Sequence, residues 1–123
     1  MRTRRCWFHF STALSAVCAM LVAGECSAAQ NLYAALGLAV YEYTPAGQRS
    51  TFVNIAGEPT DLVFDNAGNL FVSDQSTNNC IYKITPNGTI KIFAAGLGRP
   101  EGIALDSSGN VFVAEHDANR ICL

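Results

Sequence analysis

An all-β chain built from repeated four-stranded antiparallel sheets is predicted by three observations. The sequence repeats itself at an offset of 41 residues. Each repeat holds two tight-turn signals between short β-branched and aromatic runs. Beyond the N-terminal 29 residues, no window sustains the 3.6-residue apolar periodicity of a helix.

The offset is clearest at Pro59 and Pro100. Tyr41 pairs in the same way with Tyr82, Thr44 with Thr85, Pro45 with Pro86, Phe52 with Phe93 and Gly57 with Gly98. Asp65 matches Asp106, Gly68 matches Gly109, Asn69 matches Asn110 and Phe71 matches Phe112. The register runs ungapped through Asp74 and Glu115, then slips by one residue, so that Asn79 corresponds to Asn119. A partial copy lies upstream. Asn31-Leu32-Tyr33 echoes Asn69-Leu70-Phe71, with a connection about three residues shorter before Tyr41.

Within one repeat, Leu62 to Asp65 reads as a first strand. Asp65 to Asn69 is a turn in which Gly68 supplies positive φ. Leu70 to Ser73 is a second strand, and a polar loop runs from Asp74 to Asn79. Ile81 to Thr85 is a third strand, Asn87-Gly88 a hairpin signal, and Thr89 to Ala94 a fourth strand. Ala95 to Pro100 crosses to the next copy. Four strands at a period of about 40 residues is the blade pattern of a β-propeller. The chain then holds ten strands, three in a first blade, four in a second and three in a third.

Residues 1–29 differ in kind. Arg2, Arg4 and Arg5 precede an uncharged apolar run from about Phe10 to Gly24, followed by Ser27, Ala28 and Ala29. A basic start, a short apolar stretch and a small-x-small end form a secretory signal peptide, helical and cut after Ala29. The run is shorter than the roughly 20 residues that span a bilayer. The expectation is a secreted or periplasmic chain with no membrane segment after cleavage. Residues 30–123 form the propeller part.

That mature segment has five basic and nine acidic residues, a balance of −4. Nucleic-acid binding needs a basic stripe, and the Arg cluster belongs to the leader, so that class is excluded. Only Cys80 and Cys122 remain of five cysteines. They occupy adjacent positions of equivalent strands, so their side chains should point to opposite faces and leave no disulfide.

Pro100-Glu101-Gly102-Ile103-Ala104-Leu105-Asp106, then Gly109-Asn110-Val111-Phe112-Val113-Ala114-Glu115, then Asn119-Arg120-Ile121 resembles the NHL repeat. The copy at Pro59 is similar, with Asp61 where the motif has Gly. The blade pattern is shared with the senescence-marker-protein/gluconolactonase family and with streptogramin lyases. The resemblance implies a ring of about six blades, roughly 250 residues. About two and a half are present, which leaves a truncated reading frame, self-association to complete the propeller, or a short open stack as alternatives.

Strand alternation places the loops at 74–79 and 115–118 and the crossovers at 56–60 and 95–101 at one end of the blades. These longer loops are where binding is expected, from Glu58, Asp74, Arg99, Glu101, Glu115, His116 and Asp117. The binding set chosen is Arg99, Glu101, Glu115, His116 and Asp117. No catalytic residue and no metal ligand is assigned. Glu115-His116-Asp117 are consecutive, and strand neighbours point apart, so a polar loop is the plainer reading. Asp65 and Asp106 are expected to fasten turns.

The functional expectation is therefore a binding or scaffold module, non-enzymatic and without cofactor, with an unidentified protein or small-molecule ligand. The alternative is part of a metal-dependent hydrolase resembling gluconolactonase or streptogramin lyase. There the resemblance implies a divalent ion such as calcium in the channel, with Glu101 near it.

Overall fold

The computed structural model describes residues 30–76 and 78–123. The signal-peptide segment and its predicted helix lie outside them. Ten strands follow in order: β1 Leu32–Leu36, β2 Ala39–Tyr43, β3 Arg49–Asn54, β4 Pro59–Phe64, β5 Leu70–Asp74, β6 Cys80–Ile84, β7 Ile90–Ala94, β8 Pro100–Leu105, β9 Val111–Glu115 and β10 Arg120–Cys122. They form three antiparallel sheets ordered β1-β2-β3, β4-β5-β6-β7 and β8-β9-β10. These are blades 1, 2 and 3, and the three-four-three division is the one the repeat predicts.

The first strand of a blade starts earlier than the apolar pattern suggests. Pro59 and Pro100 open β4 and β8, where the sequence reading has crossover. A strand's first residue needs no ladder N–H, so proline is tolerated there. The ladder is irregular just after each proline, between Pro59 and Asp61 and between Pro100 and Ile103. The irregularity hides the period-2 alternation on which a strand reading depends.

The turns recur with the repeat. The Asp65 carboxylate accepts the N–H of Ala67 at 2.9 Å and of Asn69 at 2.8 Å, and the Asn69 amide at 2.8 Å. Asp106 does the same with Ser108, Asn110 and the Asn110 amide at 2.9, 2.9 and 2.7 Å. Gly68 and Gly109 then turn through φ of +80° and +85°. These side-chain amides hold both carboxyls below the ordinary carboxylate range. In blade 1 the loop corresponding to 75–79 is replaced by a two-residue hairpin at Gly37-Leu38, three residues shorter.

Side chains alternate across each strand, so the blades stack through two apolar layers. Val40, Val53 and Ile55 of blade 1 meet Leu62, Leu70, Val72 and Ile84 of blade 2. Tyr33 packs edge-on against Phe52 and Phe64 in that layer. Phe71 and Ile81 of blade 2 meet Ile103, Val111 and Val113 of blade 3. Each buried aliphatic or aromatic side chain is worth about 1.5–3 kcal/mol.

Polar groups join blades 2 and 3 along β4 and β8. The Asp61 carboxylate takes the N–H of Ile103 at 2.9 Å and that of Leu62 at 2.7 Å. Ser73 Oγ donates to the Glu101 carbonyl at 2.9 Å. Thr60 Oγ1 lies 3.1 Å from the same oxygen and 3.2 Å from the Pro100 carbonyl. Its single proton serves one acceptor at a time. Cys80 is buried, Cys122 half-buried, and both are free thiols.

Candidate functional site

Loops 75–79 and 115–119 and the incoming crossovers lie at one end of the blades, zipped together by backbone bonds. Gln75 N–H reaches the Glu58 carbonyl at 3.2 Å, and Leu97 N–H the Asn79 carbonyl at 3.1 Å. One repeat later, His116 N–H reaches the Arg99 carbonyl and Asp117 N–H the Gly98 carbonyl, both at 3.1 Å. Each loop returns to its strand through an asparagine in the left-handed region, Asn79 at φ +42° and Asn119 at +47°. Asparagine is among the few non-glycine residues that enter this region readily.

Under each loop sits an acid at the end of the second strand. Asp74 is wholly buried, and its Oδ1 accepts the N–H groups of Glu58 at 2.9 Å and Ser76 at 2.8 Å. Its carboxyl occupies the space that a Cβ on Gly57 would fill. Its Oδ2 has no hydrogen-bond partner among the described residues.

Glu115 is the repeat-mate of Asp74. It was placed with the ligand-facing residues by sequence, but its side chain is 1% exposed. One carboxylate oxygen accepts the Gly98 N–H, and the other accepts Arg120 Nε at 2.9 Å and the Cys122 thiol. The Cys122 thiol, then the Gly98 N–H and Arg120, pull its pKa down to about 2. Sequence spacing cannot separate a buried carboxylate serving backbone N–H groups from an exposed one. The neighbouring glycine, recurring at 57 and 98, is the signal that distinguishes it.

The extra methylene of Glu115 changes which amide is capped. Asp74 bonds the N–H of Glu58, whereas Glu115 bonds that of Gly98, one register position earlier. Arg99, the repeat-mate of Glu58, then takes a left-handed φ of +54°. A non-glycine, non-asparagine residue in that region is uncommon and strained.

The other four predicted residues share this end. Arg99 Nε lies 3.8 Å from Glu101 Oε1, with both side chains nearly half exposed. His116 Nδ1 lies 3.1 Å from Asp117 Oδ1, with both more than half exposed. The backbone bond from His116 N–H to the Arg99 carbonyl ties the two segments together at the loop end. Among the described residues, no three histidine, cysteine or acidic side chains gather to hold a metal. Glu101 has a guanidinium beside it, so these residues do not by themselves fit the divalent ion implied by the hydrolase alternative.

The sequence reading missed the seam of Thr60, Asp61 and Ser73. Asp61 was visible as a departure from the repeat, but its cross-blade partner was not. Burial raises the Asp61 pKa, and the N–H groups of Ile103 and Leu62 offset part of that rise.

Residues 97–122 match the family model of the NHL repeat. No curated protein matches the chain in sequence. A solved structure whose description assigns it as a gluconolactonase superposes with a TM-score of 0.66 at 22% identity. The match covers 76% of this chain and 41% of that one, so the chain spans about two-fifths of the length of that structure. At such identity the likeness carries the fold alone. Residues 97–122 carry the NHL-repeat match, and the three stacked sheets with that structural likeness show the fold of the chain, a run of β-propeller blades.

Proposed function

We propose that this chain is an exported, non-catalytic binding module that meets its ligand through the loop end of its blades. The observation that carries this reading is a division of labour among the polar residues there. Asp74 and Glu115 are buried, each with one carboxylate oxygen on backbone amides, and the other oxygen of Glu115 is taken by Arg120 and Cys122. The side chains of Arg99 and Glu101 are nearly half exposed and pair with each other, and those of His116 and Asp117 are more than half exposed and pair with each other. That surface offers a guanidinium, an imidazole and two carboxylates for recognition, without a nucleophile, base and orienting group in sequence. The ligand is a protein segment or small molecule with both donor and acceptor groups.

The test is a screen of the mature chain, residues 30–123, on peptide and glycan arrays, repeated with an Arg99→Ala/His116→Ala double variant. Binding lost in that variant, with an unchanged circular dichroism spectrum, supports the reading. Calcium- or zinc-dependent lactone hydrolysis that falls on Glu101→Gln overturns it in favour of the hydrolase. Export is tested separately by N-terminal sequencing of the protein outside the cytoplasm, which should begin at Gln30.

A further inference from the structure

One exposed turn of blade 2 carries chemistry that the blade fold does not require. Asn87 is the only asparagine of the sequence with serine or threonine two positions on, through Gly88 to Thr89. Asn-x-Ser/Thr is the acceptor pattern for N-linked glycans, in which the side-chain amide nitrogen takes the sugar.

The repeat separates this pattern from the needs of the turn. The matching positions in blade 1 are Ala46 and Gln48. There Gly47 N–H reaches the Thr44 carbonyl at 2.8 Å, and Thr44 N–H reaches the Gln48 carbonyl at 2.9 Å. In blade 2, Gly88 N–H reaches the Thr85 carbonyl at 2.8 Å, and Thr85 N–H reaches the Thr89 carbonyl at 3.0 Å. The two glycines turn through φ of +81° and +83°. Alanine and glutamine therefore close the same hairpin, and the fold does not select Asn87 and Thr89.

The side-chain geometry presents the reactive atom. Asn87 and Thr89 are both exposed. Asn87 Oδ1 accepts the Thr89 N–H at 3.2 Å and the Thr85 hydroxyl, which holds the amide oxygen against the turn. Its Nδ2 donates no hydrogen bond among the described residues. In Asn69 and Asn110 that nitrogen is engaged by Asp65 and Asp106 at 2.8 and 2.7 Å, and in Asn78 by the Ala56 carbonyl at 3.2 Å. An amide fixed by its oxygen turns its two donors away from the chain. Pro86, just before Asn87, borders Gly68 of the 65–69 turn, so the site lies at the tight-turn end of blade 2, opposite the loop end.

We propose that Asn87 is the acceptor of an N-linked glycan, attached as the chain leaves the cytoplasm. The proposal rests on the export part of the functional reading and not on its ligand. Asn87 Nδ2 forms a bond to the anomeric carbon of a lipid-pyrophosphate-linked oligosaccharide. The bond from that carbon to the pyrophosphate oxygen breaks, and the amide gives up one proton as the lipid pyrophosphate departs. Transfer to the entering chain precedes closure of the hairpin, and the folded turn then carries the glycan outward. A glycan there leaves the loop end of the blades open.

The full chain with its own leader, collected from the medium of a eukaryotic secretion host, tests the proposal. Mass spectrometry before and after peptide-N-glycosidase should show one glycan, with its release converting Asn87 to aspartate. Asn87→Gln and Thr89→Ala should each lose the glycan, and Thr89→Ser should keep it. All three positions are solvent-facing, and circular dichroism checks that each variant keeps its sheets. A secreted chain with an unmodified Asn87 overturns the proposal, as does a glycan that persists in Asn87→Gln. A chain retained in the cell counts against the export reading. The same chain behind a leader of proven secretion then decides the site by the same mass shift, and an unmodified Asn87 there overturns it.

Discussion

Blades 2 and 3 carry the same repeat in the same register, yet their second strands sit in different surroundings. Every residue of β5 is buried, because blade 1 lies on one side and blade 3 on the other. In β9 the burial alternates: Val111, Val113 and Glu115 are buried, Phe112 and Ala114 exposed. Phe71 and Phe112 are repeat-mates, but one is 3% exposed and the other 36%. The residue types of a blade therefore set its sheet, while its neighbours set how much of that sheet counts toward stability. A repeat protein of this kind draws its stability from contacts between adjacent units.

The largest test of that contrast compares Ile81→Ala with Ile121→Ala. Ile81 is completely buried, and truncating such a residue costs about 2–5 kcal/mol. Ile121 is its repeat-mate and 72% exposed, so the same truncation should stay within about 0.5 kcal/mol. Urea unfolding midpoints measure both. Equal losses at the two positions would mean that blade 3 is covered on both sides even in the single chain.

A smaller contrast lies at the glycines beneath the loops. A Cβ at Gly57 would fall on the buried Asp74 carboxyl and force it from the Glu58 and Ser76 amides. A Cβ at Gly98 would lie 3.1 Å from Glu115 Oε2 and 3.2 Å from the Ala118 Cβ, a crowding that slight movement relieves. Gly57→Ala is expected to cost about 2–3 kcal/mol, in the upper part of the overpacking range, and Gly98→Ala about 1 kcal/mol or less. The melting temperatures of the two variants should rank in that order. The reverse order would place the tighter loop in blade 3.

Much of this fold was legible because repetition turns weak local signals into strong ones. A single Asp-x-x-Gly-Asn turn predicts little, but Asp65 and Asp106 in one register, each fastening the same amides, predict a blade. The start of the first strand was not legible, because Pro59 and Pro100 resemble loop residues and the irregular ladder after them breaks the alternation. The loop end was located correctly from strand alternation, since odd and even connections must fall on opposite ends. Which of its acids face solvent was not legible from Glu115 and Glu101 themselves, because the distinguishing signal lies 17 residues away, at the glycine recurring at 57 and 98. The seam from Asp61 to Ile103 spans 42 residues and two sheets, and no local pattern encodes it.

The smallest expected effects concern pH, and here the two regions should respond in opposite directions. Glu115, at the end of β9, has its pKa lowered from 4.5 to about 2 by its hydrogen bonds to Cys122, Gly98 and Arg120. A depressed folded-state pKa gives stability that is present above 4.5 and lost as pH falls through about 2. Asp61, between blades 2 and 3, has its pKa raised above 3.8 by burial. Its contribution is present below 3.8 and lost as pH rises through the raised value. Asp61→Asn keeps an oxygen for the Ile103 N–H and removes the ionisation. Its melting temperature should therefore gain on the wild type as pH climbs above 3.8. Glu115→Gln should melt below the wild type at neutral pH, with the gap closing as pH falls toward 2. Thermal melts of the three proteins from pH 2 to pH 7 separate the two limbs. If the Asp61→Asn curve runs parallel to the wild type, the carboxyl at the seam is not held in the buried environment that distinguishes blade 2 from its neighbour.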